Sequence, residues 1–383
     1  MPIRLLIVAG GQSAEHHVSL SSAKNVLEGL SESDIFVTTI IVTKDGRWLS
    51  PEASLQVLRR GVGAAECDGD YLSTLISCRN EYDVVFPLIH GPTGEDGILQ
   101  GFLQMLNLPY IGCGVLASAI CMDKVIFRDI AKARDLPQVK YLSFRRSDFN
   151  KDKQHFCDKV KLELASPWIV KPSALGSSIG VAKVEEADGD ARLKETFHQA
   201  FQYGAELLVE ECVPNLCELE VAVVGNETSR ASVLGRIVYE AYTQDHETKY
   251  GDTTLQIPAD VPVHIAERCR SVALKAYRCY GCTGLARVDF FYDSVQQHIV
   301  LNEINTLPGF TDVSMFPRLR EYEGRLRVPR PEEQKERKVN SASPQTPSQT
   351  HQPLCPLSQP YSACQSNFDF ASTTLSLSIV MCM

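Results

Sequence analysis

The run IRLLIVAGG, residues 3–11, constrains the fold more than any other stretch of the chain. Its apolar residues run on almost without alternation and stop at Gly10-Gly11, the pattern of a strand covered on both faces and followed by a tight turn. Strands of that kind belong to parallel sheets flanked by helices. The segments that follow fit this reading. SAEHHVSLSSAKNVLEGL has helical apolar spacing at Val18, Ala23, Val26, Leu27 and Leu30, and DIFVTTIIVTKDG reads as a strand with a Lys-Asp-Gly turn. EYDVVFPLIHG is a second buried strand ending at His90-Gly91, GEDGILQGFLQML restarts a helix, and PYIG begins another short strand. Strands alternating with helices predict an α/β, doubly wound domain over residues 1–112.

Further along, one helix from Ser118 carries MDKVIFRDIAKARDLP and stops at Pro137. SPWIVKPSALGSSIGVAKV reads as strand, glycine-rich loop, strand; AELLVEECV, CELEVAVVG and RASVLGRIVYEA read as further strands. VHIAERCRSVALKAYRCYG places Ile265, Cys269, Val272, Ala276 and Tyr280 on one helical stripe that ends at Gly281. Beyond Gly324 the chain is charged, then rich in Pro, Ser, Gln and Thr; it cannot bury enough apolar surface to offset its ordering entropy, so residues 325–383 are predicted disordered.

A length of 383 residues allows two or three domains. A net charge of −9 argues against a nucleic-acid or anionic-membrane partner. No apolar run approaches the roughly 20 residues that span a bilayer, and the start lacks a signal peptide's n-region and cleavage site, so a cytoplasmic location is expected. The 13 cysteines are scattered and odd in number. Cys279 and Cys282 form the one tight pair, with no second pair to complete a zinc site, so buried reduced thiols are expected.

Two strands carry paired polar residues. GLARVDFFYD puts Arg287 and Asp289 on one face, and HIVLNEIN does the same with Glu303 and Asn305. A hairpin centred on Gln296 sets Asp289 opposite Glu303, with Cβ atoms about 5 Å apart, where like charges repel unless a cation intervenes. Two carboxylates and an amide oxygen form an all-oxygen set suited to Mg²⁺ or Mn²⁺ against phosphates. The alternative is a solvated face with Arg287 neutralising Asp289. In KPSALGSSIG, Lys171 closes an apolar strand, Gly176 and Gly180 allow close backbone approach, and Ser177 and Ser178 offer hydroxyls, as in a phosphate-binding loop or a plain turn. Glu15 follows the double glycine at a helix start, where it either meets a ligand or favours the helix dipole. His90 ends a strand, at the usual ligand crevice of an open α/β sheet or as a packing residue.

The ordered set GGQSAEHHVSLSSA, HGPTGEDGILQG, MDK, VKPSALGSSIGV, VEECVPNLCELEV, ETKY, ARVDFF and LNEINTLPGFTDVSMFP resembles the ATP-grasp enzymes and, within them, the D-alanine–D-alanine ligases, over residues 3 to about 320. The resemblance implies a three-domain ATP-grasp fold, divided here as 1–112, 113–209 and 210–324, with ATP gripped between the second and third. It implies that Asp289, Glu303 and Asn305 hold two Mg²⁺ or Mn²⁺ ions, and that Lys124, Lys171 and Lys249 meet ATP phosphates beside the Ser177 loop. Glu210, Glu211, Cys212 and Val213 would supply the adenine hinge, and Glu218 would reach the ribose. Glu15 and His90 would lie at the first D-alanine, Arg287 and the Gly309 amide at the oxyanion, and Ser314 and Met315 at the second D-alanine's carboxylate. Ser177 and Tyr250 would position Glu15 and close the polar lid YTQDHETKYGDTT over the site.

The implied partners are ATP and D-alanine, in a possible homodimer, and the implied reaction makes the dipeptide through a D-alanyl phosphate. Two departures stand out. His246 occupies a position the family usually fills with an aromatic, while the retained Tyr250 favours the dipeptide over D-alanyl–D-lactate products. The match also stops near MFPRLREYEG, where the family continues with an amphipathic helix; an altered reading frame is one explanation. Another ATP-grasp carboxylate–amine ligase and a non-catalytic nucleotide-binding relic are the competing expectations.

Overall fold

The computed structural model describes residues 2–31, 33–60, 70–77, 79–239 and 253–324. The expected disordered tail and the lid with Lys249 and Tyr250 lie outside the described residues.

Strand β1 (Ile3–Gly10) is fully covered from Leu5 onward and leads into α1 (His16–Gly29). β2 (Ile35–Val42), α2 (Pro51–Arg60), α3 (Leu72–Ser77), β3 (Val84–Leu88) and α4 (Ile98–Met105) follow. The strands form a parallel sheet in the order β2-β1-β3, as continuous apolar runs dictate. PYIG contributes only a bridge from Tyr110 to Val85. Gly10 needs its missing side chain: with φ at +90°, a Cβ there would meet the Val42 carbonyl at 2.2 Å.

Helix α1 departs in part from its expected stripe. Its buried residues are His16, Ser19, Ser22, Ala23 and Val26, while Val18 is exposed. The hydroxyls are used: Ser19 accepts from the Gly10 amide and donates to the Leu88 carbonyl. Ser22 bonds the His90 ring at 3.0 Å and accepts from the Phe310 amide at 3.0 Å. The expected stripe holds at Ala23, Val26, Leu27 and Leu30, which pack into the first core, and fails only at Val18, while the buried serines face a polar crevice.

The single helix expected from Ser118 is two, α5 (Val115–Met122) and α6 (Lys124–Ala133). Asp123 is extended, at ψ 107°, and its carboxylate accepts from the amides of Val125 and Ile126. An N-cap at that position starts a new helix and turns Lys124 out of line with α5. β4 (Tyr141–Arg145), α7 (Arg146–Phe149), α8 (Lys153–Glu163), β5 (Trp168–Pro172), β6 (Ala182–Val184), α9 (Gly189–Ala200) and β7 (Glu206–Glu211) build a central antiparallel sheet ordered β4-β7-β5-β6. Its own core includes Phe144, Phe149, Trp168 and Phe197.

The last sheet runs β10-β9-β8-β11-β12, from β8 (Leu216–Val224), β9 (Arg230–Tyr239), β10 (Thr253–Gln256), β11 (Leu285–Asp293) and β12 (His298–Asn305). Helix α10 (Val263–Cys279) buries Ile265, Cys269, Ala273, Ala276 and Tyr277 against it, and the short α11 (Met315–Tyr322) closes the described chain. Helices α5 and α6, which the sequence division grouped with the central unit, pack their Ala117, Cys121, Phe127 and Ala131 into this third core. All eight cysteines among the described residues are free thiols, Cys282 buried among them. No helix among the described residues is long and apolar enough to cross a membrane.

The β11–β12 hairpin sets Asp289 opposite Glu303, by a route the strand pattern alone does not show. From the turn, Asp293 pairs with His298 and Phe290 with Leu301; Asn302 is then an extra residue, and only past it does Asp289 meet Glu303. Without that bulge Glu303 would fall on the opposite face of the sheet.

Candidate active site

Where the central sheet meets the last one, Lys124, Arg128, Lys171, Glu210, Asn302 and Glu303 line a small cavity with Cys121 and Phe127. Its volume is about 10 Å³, space for a single water. Lys171 Nζ pairs with Glu210 at 2.5 Å, and Arg128 Nε holds the other carboxylate oxygen at 2.5 Å. Lys124 donates its ammonium to the Leu175 carbonyl in the glycine-rich loop at 2.5 Å. Burial lowers its pKa and Glu303 opposes that, consistent with a desolvated cation facing a carboxylate. Both lysines expected at the phosphates are thus turned onto the protein's own acceptors.

Burial by itself would raise the Glu210 carboxyl, but the charges of Arg128 and Lys171 overcome it and hold the pKa at about 2. A depressed carboxylate contributes stability that is complete above its unfolded value near 4.5 and fades as pH falls toward about 2. Glu210→Gln is therefore expected to lose stability at neutral pH and to flatten the acid limb between pH 4.5 and 2, read by denaturant melts across that range. An unchanged acid limb would deny the ion pairs a role in the fold.

In the segment expected to meet adenine, the amides of Glu211 and Cys212 are bonded to the carbonyls of Lys140 and Pro167 at 3.1 and 2.9 Å. The Glu211 carboxylate takes the Ala165 amide at 2.9 Å, and Val213 is half-buried beside them.

The acidic face spans three strands. Glu218 and Glu220 of β8, Arg287 and Asp289 of β11, and Glu303 and Asn305 of β12 share one side of the sheet. Arg287 grips Asp289 with two hydrogen bonds of 2.8 and 2.7 Å, and the Asn305 amide donates to Asp289 at 2.7 Å. Glu220 Oε2 lies 3.0 Å from Arg287 Nε yet accepts no hydrogen bond, because that N–H is directed at Asp289. Burial pushes Asp289 up to about 6 even against Arg287, and pushes Glu220 up to about 8, with the neighbouring carboxylates adding to both. Arg287 serves the Asp289 and Glu220 side of this face, and the ammonium of Lys124 faces Glu303.

No three acidic, histidine or cysteine side chains among the described residues form a ready cage for a metal. The donor set nonetheless fits a hard cation in its chemistry: carboxylates in register from adjacent strands with an amide side chain beside them.

At the far end of the face, Glu15 gathers residues from all three units. Ser177 of the glycine-rich loop, with φ at +50°, donates to its carboxylate. Gly91 leaves room for it, since a Cβ there would sit 2.5 Å from Glu15 Oε2. Burial and the nearby Glu95 raise the Glu15 carboxyl, an environment an ammonium would relieve. His90 Nδ1 lies 3.4 Å from Glu95. Phe310 of the PGF loop is pinned by Ser22 and by Asn25, whose side chain donates to the Phe310 carbonyl at 2.9 Å. Gly309 lies against Ser314, whose hydroxyl accepts from the Thr311 amide at 3.1 Å. Met315 buries its side chain against Gly235, so a ligand there can use only its backbone amide.

Contacts therefore tie Glu15 to Ser177, His90 through Ser22 to the loop that carries Gly309 and Ser314, Arg287 and Asn305 to Asp289 opposite Glu303, and Lys124 and Lys171 to the cavity shared with Glu210 and Glu303. Sequence reasoning missed three members. Glu95 stood inside the HGPTGEDG stretch without a role. Glu220 was visible as the second acid on one face of CELEVAVVG. Arg128 was visible as a charge three residues from both Val125 and Ala131 on the buried stripe of α6.

A parallel first sheet, then two antiparallel sheets closing on lysines and carboxylates, is the architecture of the ATP-grasp ligases. Residues 4–113 match the family described as D-ala D-ala ligase N-terminus, and residues 130–326 that described as D-ala D-ala ligase C-terminus. The D-alanine–D-alanine ligase of Deinococcus radiodurans is 42% identical over 334 residues, covering 85% of this chain and 95% of that protein. The solved VanG D-Ala:D-Ser ligase of Enterococcus faecalis superposes with a TM-score of 0.72 at 29% identity, covering 85% of this chain and 96% of its own. The D-alanine–D-alanine ligase of Coxiella burnetii gives 0.68 at 30% identity, over 88% and 98%. The chain belongs to the D-alanine–D-alanine ligase family.

Proposed function

We propose that this chain joins two D-alanine molecules at the expense of ATP, through a D-alanyl phosphate, to give the dipeptide used in peptidoglycan precursors. The observation that carries the reading is that Glu303, set opposite Asp289, acts on both Glu15 and Lys124. A candidate ammonium receptor and a desolvated lysine thus flank one carboxylate cluster, as joining an amino-acid carboxylate to a triphosphate requires.

Glu15, backed by Ser177 and Glu95, receives the first substrate's ammonium and turns its carboxylate toward Arg287. Lys124 and Lys171 exchange their protein acceptors for phosphate oxygens. Asp289, Glu303 and Asn305 hold divalent cations, which supply charge neutralisation for the phosphates when bound. The carboxylate oxygen attacks the γ-phosphorus and ADP leaves, giving the acyl phosphate. The second D-alanine, its carboxylate at Ser314 and the Met315 amide, attacks the carbonyl carbon as a neutral amine. Arg287 and the Gly309 amide stabilise the tetrahedral oxyanion, and phosphate departs. Glu218 and residues 210–213 hold the nucleoside in this reading, while Lys249 and Tyr250 lie outside the described residues.

Purified protein with ATP, Mg²⁺ and D-alanine is expected to release one phosphate per dipeptide formed. A D-serine acceptor used in preference to D-alanine would move the chain to the specificity of the Enterococcus relative. ATP binding with no dipeptide would leave the relic reading.

A further inference from the structure

We propose that Arg128 is a positioning residue that sets the two halves of the nucleotide site relative to each other. Its buried guanidinium joins the lysine-bearing central sheet to the β12 bulge that presents Glu303. The inference rests on the reading of this cavity as the ATP site.

Arg128 is 2% exposed, in the wall of the cavity. Its Nε binds Glu210 of β7 and its Nη1 donates to the Leu301 carbonyl of β12 at 2.6 Å. Glu210 in turn holds Lys171, so one guanidinium reaches the phosphate lysine through a single carboxylate. On the other side, Leu301 is the last residue of β12 in simple register with β11. Asn302 bulges, and Glu303 then faces Asp289. β12 is the outer strand of its sheet, and its exposed edge at Leu301 is closed by Arg128 on the carbonyl and by Pro137, whose carbonyl takes the Leu301 amide at 2.7 Å. The bulge that decides which face Glu303 takes is thus anchored at its base by Arg128.

A guanidinium suits this task because its donors lie in one rigid plane, which fixes two acceptors relative to each other. It also covers a moment in the binding sequence. When Lys171 leaves Glu210 for a phosphate, Glu210 stays paired with Arg128 instead of becoming an isolated buried carboxylate. A lysine at position 128 would keep the charge on Glu210 but has no fixed fork for Leu301.

The test compares wild type, Arg128→Lys and Arg128→Gln by steady-state kinetics in ATP, Mg²⁺ and D-alanine, with calorimetry of ADP binding with and without Mg²⁺. Arg128→Gln is expected to raise the KM for ATP about tenfold or more, the loss of one charge-assisted bond, and to raise the Mg²⁺ needed for half-activation, with the KM for D-alanine within about twofold of wild type. Arg128→Lys is expected to recover ADP affinity while keeping the raised Mg²⁺ requirement. Unchanged KM for ATP and unchanged Mg²⁺ requirement in Arg128→Gln would overturn the proposal. So would a parallel rise in both KM values that lysine does not rescue, since that is the mark of general packing loss. If Arg128→Gln does not fold, an unchanged Mg²⁺ requirement in Arg128→Lys overturns it, and a raised one supports it. A wild type that binds ADP but makes no dipeptide refutes the proposed function, and Mg²⁺-dependent ADP binding then reads the Arg128 effect separately.

Discussion

Glu303→Gln is expected to lose about a thousandfold or more in kcat while unfolding in one cooperative transition near the wild-type temperature. The activity loss follows from removing one of the two carboxylates that the β11–β12 pairing sets face to face. The small effect on stability follows from the same electrostatics: deleting the charge of Glu303 relieves Asp289 and Glu220, which it raises, and removes its support of Lys124 and Arg287, so the two effects oppose each other. A residue that merely braced the fold would show the opposite pairing, with activity kept and stability lost. Turnover within about tenfold of wild type would remove Glu303 from the proposed cation site.

Arg287→Met is expected to cost about 3–5 kcal/mol of stability, the range for removing one partner of a buried ion pair, besides turnover. Among the described residues, Arg287 is the cation that pairs with both Asp289 and Glu220. Its loss leaves both carboxylates buried against each other. The sign of the pH dependence follows from their raised values, about 6 and about 8. A carboxyl whose folded pKa lies above its unfolded one carries no penalty below the unfolded value. The penalty builds as pH climbs to the folded one. The deficit of Arg287→Met in denaturant melts should therefore be larger at pH 8 than at pH 5. A deficit independent of pH would mean that Arg287 acts by packing alone.

The β11–β12 face was legible in the sequence because strand alternation is a two-residue rule that polar residues obey as strictly as apolar ones. Arg287/Asp289 and Glu303/Asn305 could be paired on paper, and the structure pairs them. The bulge at Asn302 was not legible, since no glycine or proline marks it and only the closure at Asp293 and His298 reveals the extra residue. The polar part of the inner face of α1 was missed for a related reason, although Ala23, Val26, Leu27 and Leu30 lie in the core as expected. Periodicity finds apolar stripes, whereas Ser19 and Ser22 are buried to bind backbone groups and His90. Asp123 looked like part of a continuous helix because its cap acts on amides two and three residues ahead. Arg128 and Glu220 drew no role from the sequence, and only the fold shows that both are buried. The parallel first sheet needed none of this detail: the covered runs of β1 and β3 suffice.

The central claim is that the site holding Glu15, Glu303 and Lys124 transfers the terminal phosphoryl of ATP to a D-alanine carboxylate before the peptide bond forms. D-alanine labelled with ¹⁸O in both carboxyl oxygens tests it most directly, with the released phosphate read by mass spectrometry. Phosphate carrying one ¹⁸O, in step with dipeptide, is the predicted result, because the bridging oxygen of the acyl phosphate leaves with phosphorus. Unlabelled phosphate, or phosphate released at the same rate without D-alanine, would contradict it.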